Sequence, residues 1–401
     1  MNTRLLIACM ALVCSTTTSV MAGELVWLGA TRGTSTRSLQ TAARRYVRPG
    51  SPSIWLVGVA HLGDAAYFEA LDDLLEKSDV IIFEAVLPEG AVAPSGLNDV
   101  DRTTSTTASL KVLANAAANF ETPPTDMHIM AETVVDQNRV MANIVRTLGQ
   151  DAWGNTVEIV KTPQGTVFRS LGADGRIGGD GSAADIDVPM PDTPPGAGTN
   201  LQRELADVLR MRFQLNELPY ERPNWVPGDM NAEEVSRRLS GGEDTVDLGG
   251  ILTGSSLTGK VAVGLIRMLP GIDAVSGGRA IDGFRLMMIE LLSNPDLVKQ
   301  GVAMYGERLE QVILHDRNDV AIEVTKAQLA RMAPDASIAV LYGAAHMSGL
   351  DAGFCDAGWE PVETRWLPAI TIDLAASNLD AEDIAAMEQM SEMASSMFGG
   401  Q

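Results

Sequence analysis

Short apolar runs and helical spacings alternate at the two ends of the chain, while its middle is rich in Gly, Pro, Asp and Thr. Ile54 to Val59 is an apolar run with β-branched residues, which predicts a buried strand. From Tyr67 to Glu76 the apolar positions recur at helical spacing, and Asp79 to Ala85 is a second apolar run, so this region reads strand, helix, strand. The same order returns near the C-terminus, where Ser337 to Tyr342 predicts a strand, a turn follows, and Thr364 to Ile372 predicts another extended segment. Between them, Glu204 to Leu215, Ser256 to Leu269, Ala280 to Ser293 and Leu297 to Val312 carry mixed apolar and charged faces and predict helices. Gly249-Gly250, Pro270-Gly271 and Gly277-Gly278 punctuate that helical part. The pattern is that of an α/β protein, with α+β left open, and the asymmetry between its ends and its middle predicts an insertion.

The N-terminus reads as an address. Arg4 is followed by the apolar run Leu5 to Cys14 and by the small-residue end Val20-Met21-Ala22, which places cleavage of a leader after Ala22. A membrane anchor is the alternative, but the run has about ten residues where about twenty are needed to span. Cys9 and Cys14 leave with such a leader, so Cys355 stays alone and no internal disulfide forms. With 52 acidic against 30 basic residues the net charge is −22, which disfavours a surface that tracks nucleic-acid phosphates or anionic lipid. The mature chain is expected to be exported, periplasmic or secreted, and not transmembrane.

Of four histidines, two end strands in the same way. Trp55 to Gly63 and Ala339 to Met347 share an apolar strand, a Gly, two small residues and a His, giving Gly58-Val59-Ala60-His61 and Gly343-Ala344-Ala345-His346. An internal duplication, or two halves of one site, produces such a pair. In open α/β sheets ligands bind beyond the carboxyl ends of the strands, where both imidazoles would lie. Glu84 ends Val80-Ile81-Ile82-Phe83 at the same edge, and two imidazoles with one carboxylate form a common donor set for a divalent transition metal. Asp64 is a candidate fourth ligand or an orienting group for His61. In His315-Asp316-Arg317-Asn318-Asp319, Arg317 is a candidate for steadying a developing oxyanion, and the bland reading is a solvated helix end with ion pairs. Two satisfied core histidines on repeated strands are the bland reading of the pair. His128 in Thr125-Asp126-Met127-His128 has no partner at ligand spacing, and no role is assigned to it.

The ordered set Gly58-x-x-His61, Phe83-Glu84, Arg317-Asn318 and Gly343-x-x-His346 resembles the TraB/GumN/Tiki superfamily over roughly residues 51 to 100 and 200 to 370. The resemblance implies a metal-dependent hydrolase or peptidase. It makes His61, His346 and Glu84 the ligands of a divalent transition metal (Zn, Mn or Co), with Glu84 and Arg317 as the catalytic carboxylate and basic residue. A peptide or small molecule is then the substrate.

The most distinctive stretch lies between the two halves. Val157 to Val160 and Thr166 to Arg169 predict a hairpin across Thr162-Pro163-Gln164-Gly165. After it, Leu171 to Asp185 sets several glycines among Asp174, Asp180 and Asp185, a composition that suits oxygen ligation of calcium, although the spacing is not that of an EF-hand. A metal-free acidic turn is the alternative. Asp151-Ala152-Trp153-Gly154-Asn155 and Ser170-Leu171-Gly172-Ala173-Asp174-Gly175, continued by Gly178-Gly179 and Ala184-Asp185-Ile186, resemble the C-terminal part of the major pseudopilin of type II secretion (GspG). That resemblance implies a calcium site with Asp174, Asp180 and Asp185 as side-chain ligands and Leu171 as a carbonyl donor. No long hydrophobic helix precedes Asp151, Asn138 to Leu148 being too short and polar, so a filament subunit is not expected.

The expected plan is a leader at 1–22, a first TraB/GumN-like half at 23–148 and a pseudopilin-like module at 149–189. A Pro/Gly linker at 190–198, a second half at 199–372 and an acidic tail at 373–401 complete it. The core is expected to hold two strand-GxxH-helix-strand units around a helical middle part. A calcium-binding protein that docks onto a secretion apparatus without catalysis is the competing expectation.

Overall fold

The computed structural model describes residues 26–135, 138–193, 201–239, 257–294 and 306–398. The expected leader, the end of the expected linker, Gly249-Gly250 and residues 297–305 of an expected helix lie outside the described residues. The strands before the middle of the chain are β1 (Leu28–Arg32), β2 (Thr36–Val47), β3 (Ser53–Val59), β4 (Leu62–Gly63) and β5 (Val80–Phe83). They are followed by β6 (Glu158–Thr162), β7 (Gly165–Ser170), β8 (Ile186–Pro189), β9 (Arg212–Phe213), β10 (Trp225–Pro227), β11 (Ser337–Gly343) and β12 (Glu360–Asp373). The earlier helices are α1 (Ala65–Leu75), α2 (Asp99–Ala117), α3 (Met127–Val135), α4 (Arg139–Thr147), α5 (Leu201–Val208), α6 (Gln214–Glu217) and α7 (Ala232–Leu239). The later ones are α8 (Leu257–Val275), α9 (Arg279–Leu292), α10 (Glu307–Glu310), α11 (Arg317–Leu329), α12 (Met347–Asp356) and α13 (Ala381–Phe398). The chain is a mixed α/β protein, and it divides into two compact units, one from residues 1–84, 198–217 and 237–401, the other from 85–197 and 218–236.

In the first unit β12 runs antiparallel along one edge of β2, while β1 and β3 share the other edge. From β3 the sheet continues through β11 to β5, and these three strands are parallel. Both β3 and β11 are buried almost throughout, as expected of parallel strands covered on both faces. Thr41 of β2 meets Tyr67 of α1 on one face, and Tyr46, an odd number of residues on, meets Asp351 of α12 on the other. Both expected strand-His-helix-strand units are present: β3, His61, α1, β5 and β11, His346, α12, β12.

Three sequence expectations for this unit change. The helix expected over Glu204 to Leu215 stops at Val208, because Arg210 takes a left-handed φ of 56° and Met211 N–H reaches back to the Ala206 carbonyl. This is a Schellman-type stop built on an arginine. Pro270 does not end α8, which continues to Val275. The cluster around Arg317 does not end a helix either: a π-helical turn, Gln311–Asp316, leads directly into α11. In α11 the buried positions Arg317, Asn318, Ala321, Ile322, Thr325 and Leu329 form one stripe, so Arg317 and Asn318 open its inward face and are not solvated.

In the second unit β6, β7 and β8 form an antiparallel sheet that packs on α2. The β6–β7 hairpin turns at Pro163-Gln164, with Thr162 paired to Gly165. This compact unit takes in 85–148 and 218–236 together with the 149–189 segment. Asn143 of α4 is buried there and donates to the carbonyls of Tyr220 and Trp225 at 2.8 and 3.0 Å. Among the described residues no helix is long and apolar enough to cross a membrane.

Candidate functional site

Three parallel strands deliver three functional groups to one edge. His61 lies just past β3, Glu84 directly after β5 and His346 just past β11, with β11 between the other two strands. All lie beyond carboxyl ends, where neighbouring strands of a parallel sheet leave a crevice. Backbone bonds carry the ladder past the strand ends: Ala344 N–H donates to Val59 O at 3.0 Å and Glu84 N–H to Leu341 O at 3.0 Å. A tight turn closed by His346 N–H to Gly343 O at 2.8 Å starts α12. On the other side, the Tyr67 hydroxyl accepts from Ala60 N–H at 3.0 Å and fixes the loop that presents His61.

Glu84 is the hub. Its Oε1 accepts from Arg317 Nη2 at 2.6 Å and lies 3.5 Å from His346 Nε2, while its Oε2 accepts from Gly343 N–H at 2.7 Å. Burial pushes the Glu84 carboxyl upward, but Arg317, His346 and His61 together outweigh burial and hold it well below the ordinary carboxylate range. Glu84 is therefore ionised at neutral pH and is a weak proton acceptor. Arg317 is spent on this carboxylate and on the Ile313 carbonyl, 3.3 Å from its Nη1. It is the cation that holds Glu84.

The imidazoles are treated alike. His346 Nδ1 lies 2.8 Å from Asn318 Oδ1, and His61 Nδ1 lies 2.7 Å from Gln214 Oε1. An amide oxygen only accepts, so each Nδ1 carries a proton, and each Nε2 is the nitrogen left for the Glu84 side of the site. His346 and Asn318 are buried, whereas His61 and Glu84 retain some exposure and mark the accessible side. Gly343 leaves a space in front of its Cα: a Cβ there would lie 3.2 Å from Glu84 Oε2 and 3.5 Å from His61 Nε2.

His61, Glu84, Arg317 and His346 thus come together. Asp64 does not join them, because its oxygens accept from Arg285 Nη2 at 2.6 Å and Thr371 N–H at 2.7 Å. His128 pairs with Glu132 on an exposed turn of α3. Gln214 is a site residue that sequence reasoning missed. It reaches His61 because β4 and β9 pair, Leu62 opposite Phe213, and nothing in Met211-Arg212-Phe213-Gln214 marks it.

In the second unit the glycine-rich loop turns through left-handed glycines, Gly172, Gly175, Gly178, Gly179 and Gly181. Asp174 and Asp180 are exposed and Asp185 is half-buried. Asp174 Oδ1 accepts from Arg176 N–H at 3.0 Å and Asp185 Oδ1 from Gly178 N–H at 3.2 Å. Leu171, the expected carbonyl donor, is half-buried at the start of this loop, directly after β7. The loop is anchored from below by Asp151, which is buried and accepts from Trp153 N–H, Asn155 N–H and Ser170 Oγ at 3.0, 2.8 and 2.6 Å. Among the described residues no group of three or more His, Cys, Asp and Glu side chains stands assembled to hold a metal ion. Compared with known proteins, the chain matches no family model, no curated protein and no solved structure.

Proposed function

We propose that the protein is an exported, metal-dependent hydrolase of TraB/GumN/Tiki type that cleaves a peptide or a small molecule at the His61–Glu84–His346 edge. The observation that carries this reading is the matched pair of imidazoles, each with Nδ1 tied to an amide oxygen at 2.7 or 2.8 Å, so that each presents Nε2 on the side of one ionised carboxylate. The donor set suits a divalent transition metal such as Zn, Mn or Co, and His61 Nε2, His346 Nε2 and Glu84 would hold it. When bound, such a metal supplies Lewis acidity and a water that ionises near neutral pH. Of its four lone-pair positions Glu84 gives two to Arg317 and Gly343 N–H, which leaves capacity for a ligand. Arg317 keeps Glu84 ionised and oriented, and the glycine at 343 keeps side-chain bulk away from Glu84 Oε2 and His61 Nε2, which a Cβ there would approach to 3.2 and 3.5 Å.

A second reading concerns the glycine-rich loop. Its carboxylates at Asp174, Asp180 and Asp185, with the Leu171 carbonyl, are proposed as oxygen ligands of calcium, and the loop as a docking element for a secretion apparatus. Its left-handed glycines and exposed carboxylates favour this reading. Elemental analysis of protein purified without chelator tests both. About one equivalent of transition metal, lost in His61→Ala/His346→Ala, supports the hydrolase and directs a screen of peptides and esters. Calcium alone, lost in Asp174→Ala, supports the docking protein and removes the metallohydrolase.

A further inference from the structure

Resting on the hydrolase reading of this centre, we infer that Gln214 is a positioning residue that decides which nitrogen of His61 faces Glu84. Two bonds join the pair. Gln214 N–H donates to the His61 carbonyl at 2.9 Å, which fixes the backbone, and Gln214 Oε1 lies 2.7 Å from His61 Nδ1, which fixes the ring. The side chain is 2% exposed, so water does not compete for that contact.

The consequence is chemical. A free imidazole interconverts its tautomers and can turn over, presenting N–H or lone pair to either side. An amide oxygen beside Nδ1 requires a proton there, and so makes Nε2 the nitrogen that faces Glu84 Oε2 across the Gly343 space. Asn318 does the same for His346 at 2.8 Å from an unrelated element, α11. The site therefore fixes the orientation of both rings with amides, which do so without adding charge to a centre where Arg317 already offsets Glu84. The β4–β9 pairing brings Gln214 to His61 although 153 positions separate them in sequence.

Two-bond proton–nitrogen spectra of the ¹⁵N-labelled protein test the inference, with His61 assigned by comparison with His61→Ala. We expect His61 to carry its proton on Nδ1, to lose that preference in Gln214→Leu and to recover it in Gln214→Glu, whose carboxylate also only accepts. His346, held by Asn318, is expected to keep its own pattern in every variant and so to report an intact fold. Zinc affinity, measured by competition with a chelator, is expected to fall about 10- to 100-fold in Gln214→Leu and to return in Gln214→Glu. An Nε2–H form of His61 in the unaltered protein, or an unchanged His61 pattern in Gln214→Leu, overturns the inference. A chain that binds no zinc overturns the hydrolase reading instead, and the imidazole spectra still decide the role of Gln214.

Discussion

Arg317→Met tests the electrostatic core of the site. Arg317 and Glu84 are paired at 2.6 Å with side chains 7% and 13% exposed, so solvent screens the pair little. Removing the cation leaves a buried carboxylate with one backbone donor and a nearby imidazole, a loss of about 3–5 kcal/mol at pH 7. Burial, which already pushes the Glu84 carboxyl upward, is then opposed only by the histidines. In the unaltered protein the depressed Glu84 stabilises the fold above the ordinary carboxylate range, and that contribution is lost as pH falls through its lowered folded pKa. In the variant Glu84 takes a proton at higher pH, so the difference between the two proteins shrinks towards acid. Native-state hydrogen exchange followed on peptides from β5, β11 and α11 reads the opening of this unit alone. Protection there is expected to fall by about two to four decades at pH 7 and by much less near pH 4. Arg317→Met/Glu84→Gln should recover most of the loss, since no unpaired charge remains. A cost below about 1 kcal/mol at pH 7, or a cost that does not change with pH, refutes the buried-pair reasoning.

Further outcomes follow from single contacts. In Gly349→Ala the new methyl would overlap Asn318 Nδ2, and zinc affinity is expected to fall about 10-fold or more, measured by chelator competition. Gly353→Ala, whose methyl meets Ile322 of α11, the helix that also carries Asn318, is the control that destabilises without weakening zinc. Asp151→Ala strands the donors of Trp153, Asn155 and Ser170 at a cost of about 3 kcal/mol, so trypsin should cut after Arg176 faster even in saturating calcium; equal rates refute the clamp. Burial, with Asp351 beside it, pushes the exposed Cys355 thiol up to about 11, so alkylation should be slow at pH 8 and rise about tenfold per pH unit; fast labelling at pH 8 contradicts this.

The parallel strands were legible because each is a short, wholly apolar run, and His61, Glu84 and His346 were legible because they stand at the ends of those runs. The strand β2 was not. Thr-Arg-Ser-Leu-Gln-Thr-Ala-Ala-Arg-Arg-Tyr-Val shows neither a run nor an alternation, yet it is largely buried, because alanines fit close sheet and helix neighbours and Arg44 lies against the ring of Trp27, 4.1 Å from its centroid. Gln214 was hidden for another reason: its role is created by a long-range pairing of two residues per strand, too short to leave a periodic trace. The Arg317 cluster was legible as chemistry but misplaced as a helix end, since a π turn leaves no composition of its own. The Asp-x-Trp-Gly-Asn stretch drew notice through its resemblance, and only the fold shows Asp151 and Asn155 as the clamp beneath the loop.

The two Gly-x-x-His copies look equivalent in sequence, and the sheet makes them different. In the β3–β11 ladder Gly58 stands opposite Tyr342 and Gly343 opposite Val59, so the copies are one residue out of step. Because strands alternate faces, the two glycines look to opposite sides. A Cβ at Gly58 would meet the Ala42 carbonyl and Met347 Cγ, each at 3.2 Å, which is packing against β2 and α12. A Cβ at Gly343 would instead enter the space between Glu84 and His61. Gly58→Ala is therefore expected to cost about 1–3 kcal/mol of stability and to leave zinc affinity unchanged. Gly343→Ala presses on the buried Glu84–Arg317 pair, so it is expected to cost stability as well and, unlike Gly58→Ala, to lose zinc. Denaturant unfolding and chelator competition on both variants separate the cases. Equal effects of the two substitutions would mean that the copies are related by symmetry about the site, and the one-residue offset would then have no functional meaning.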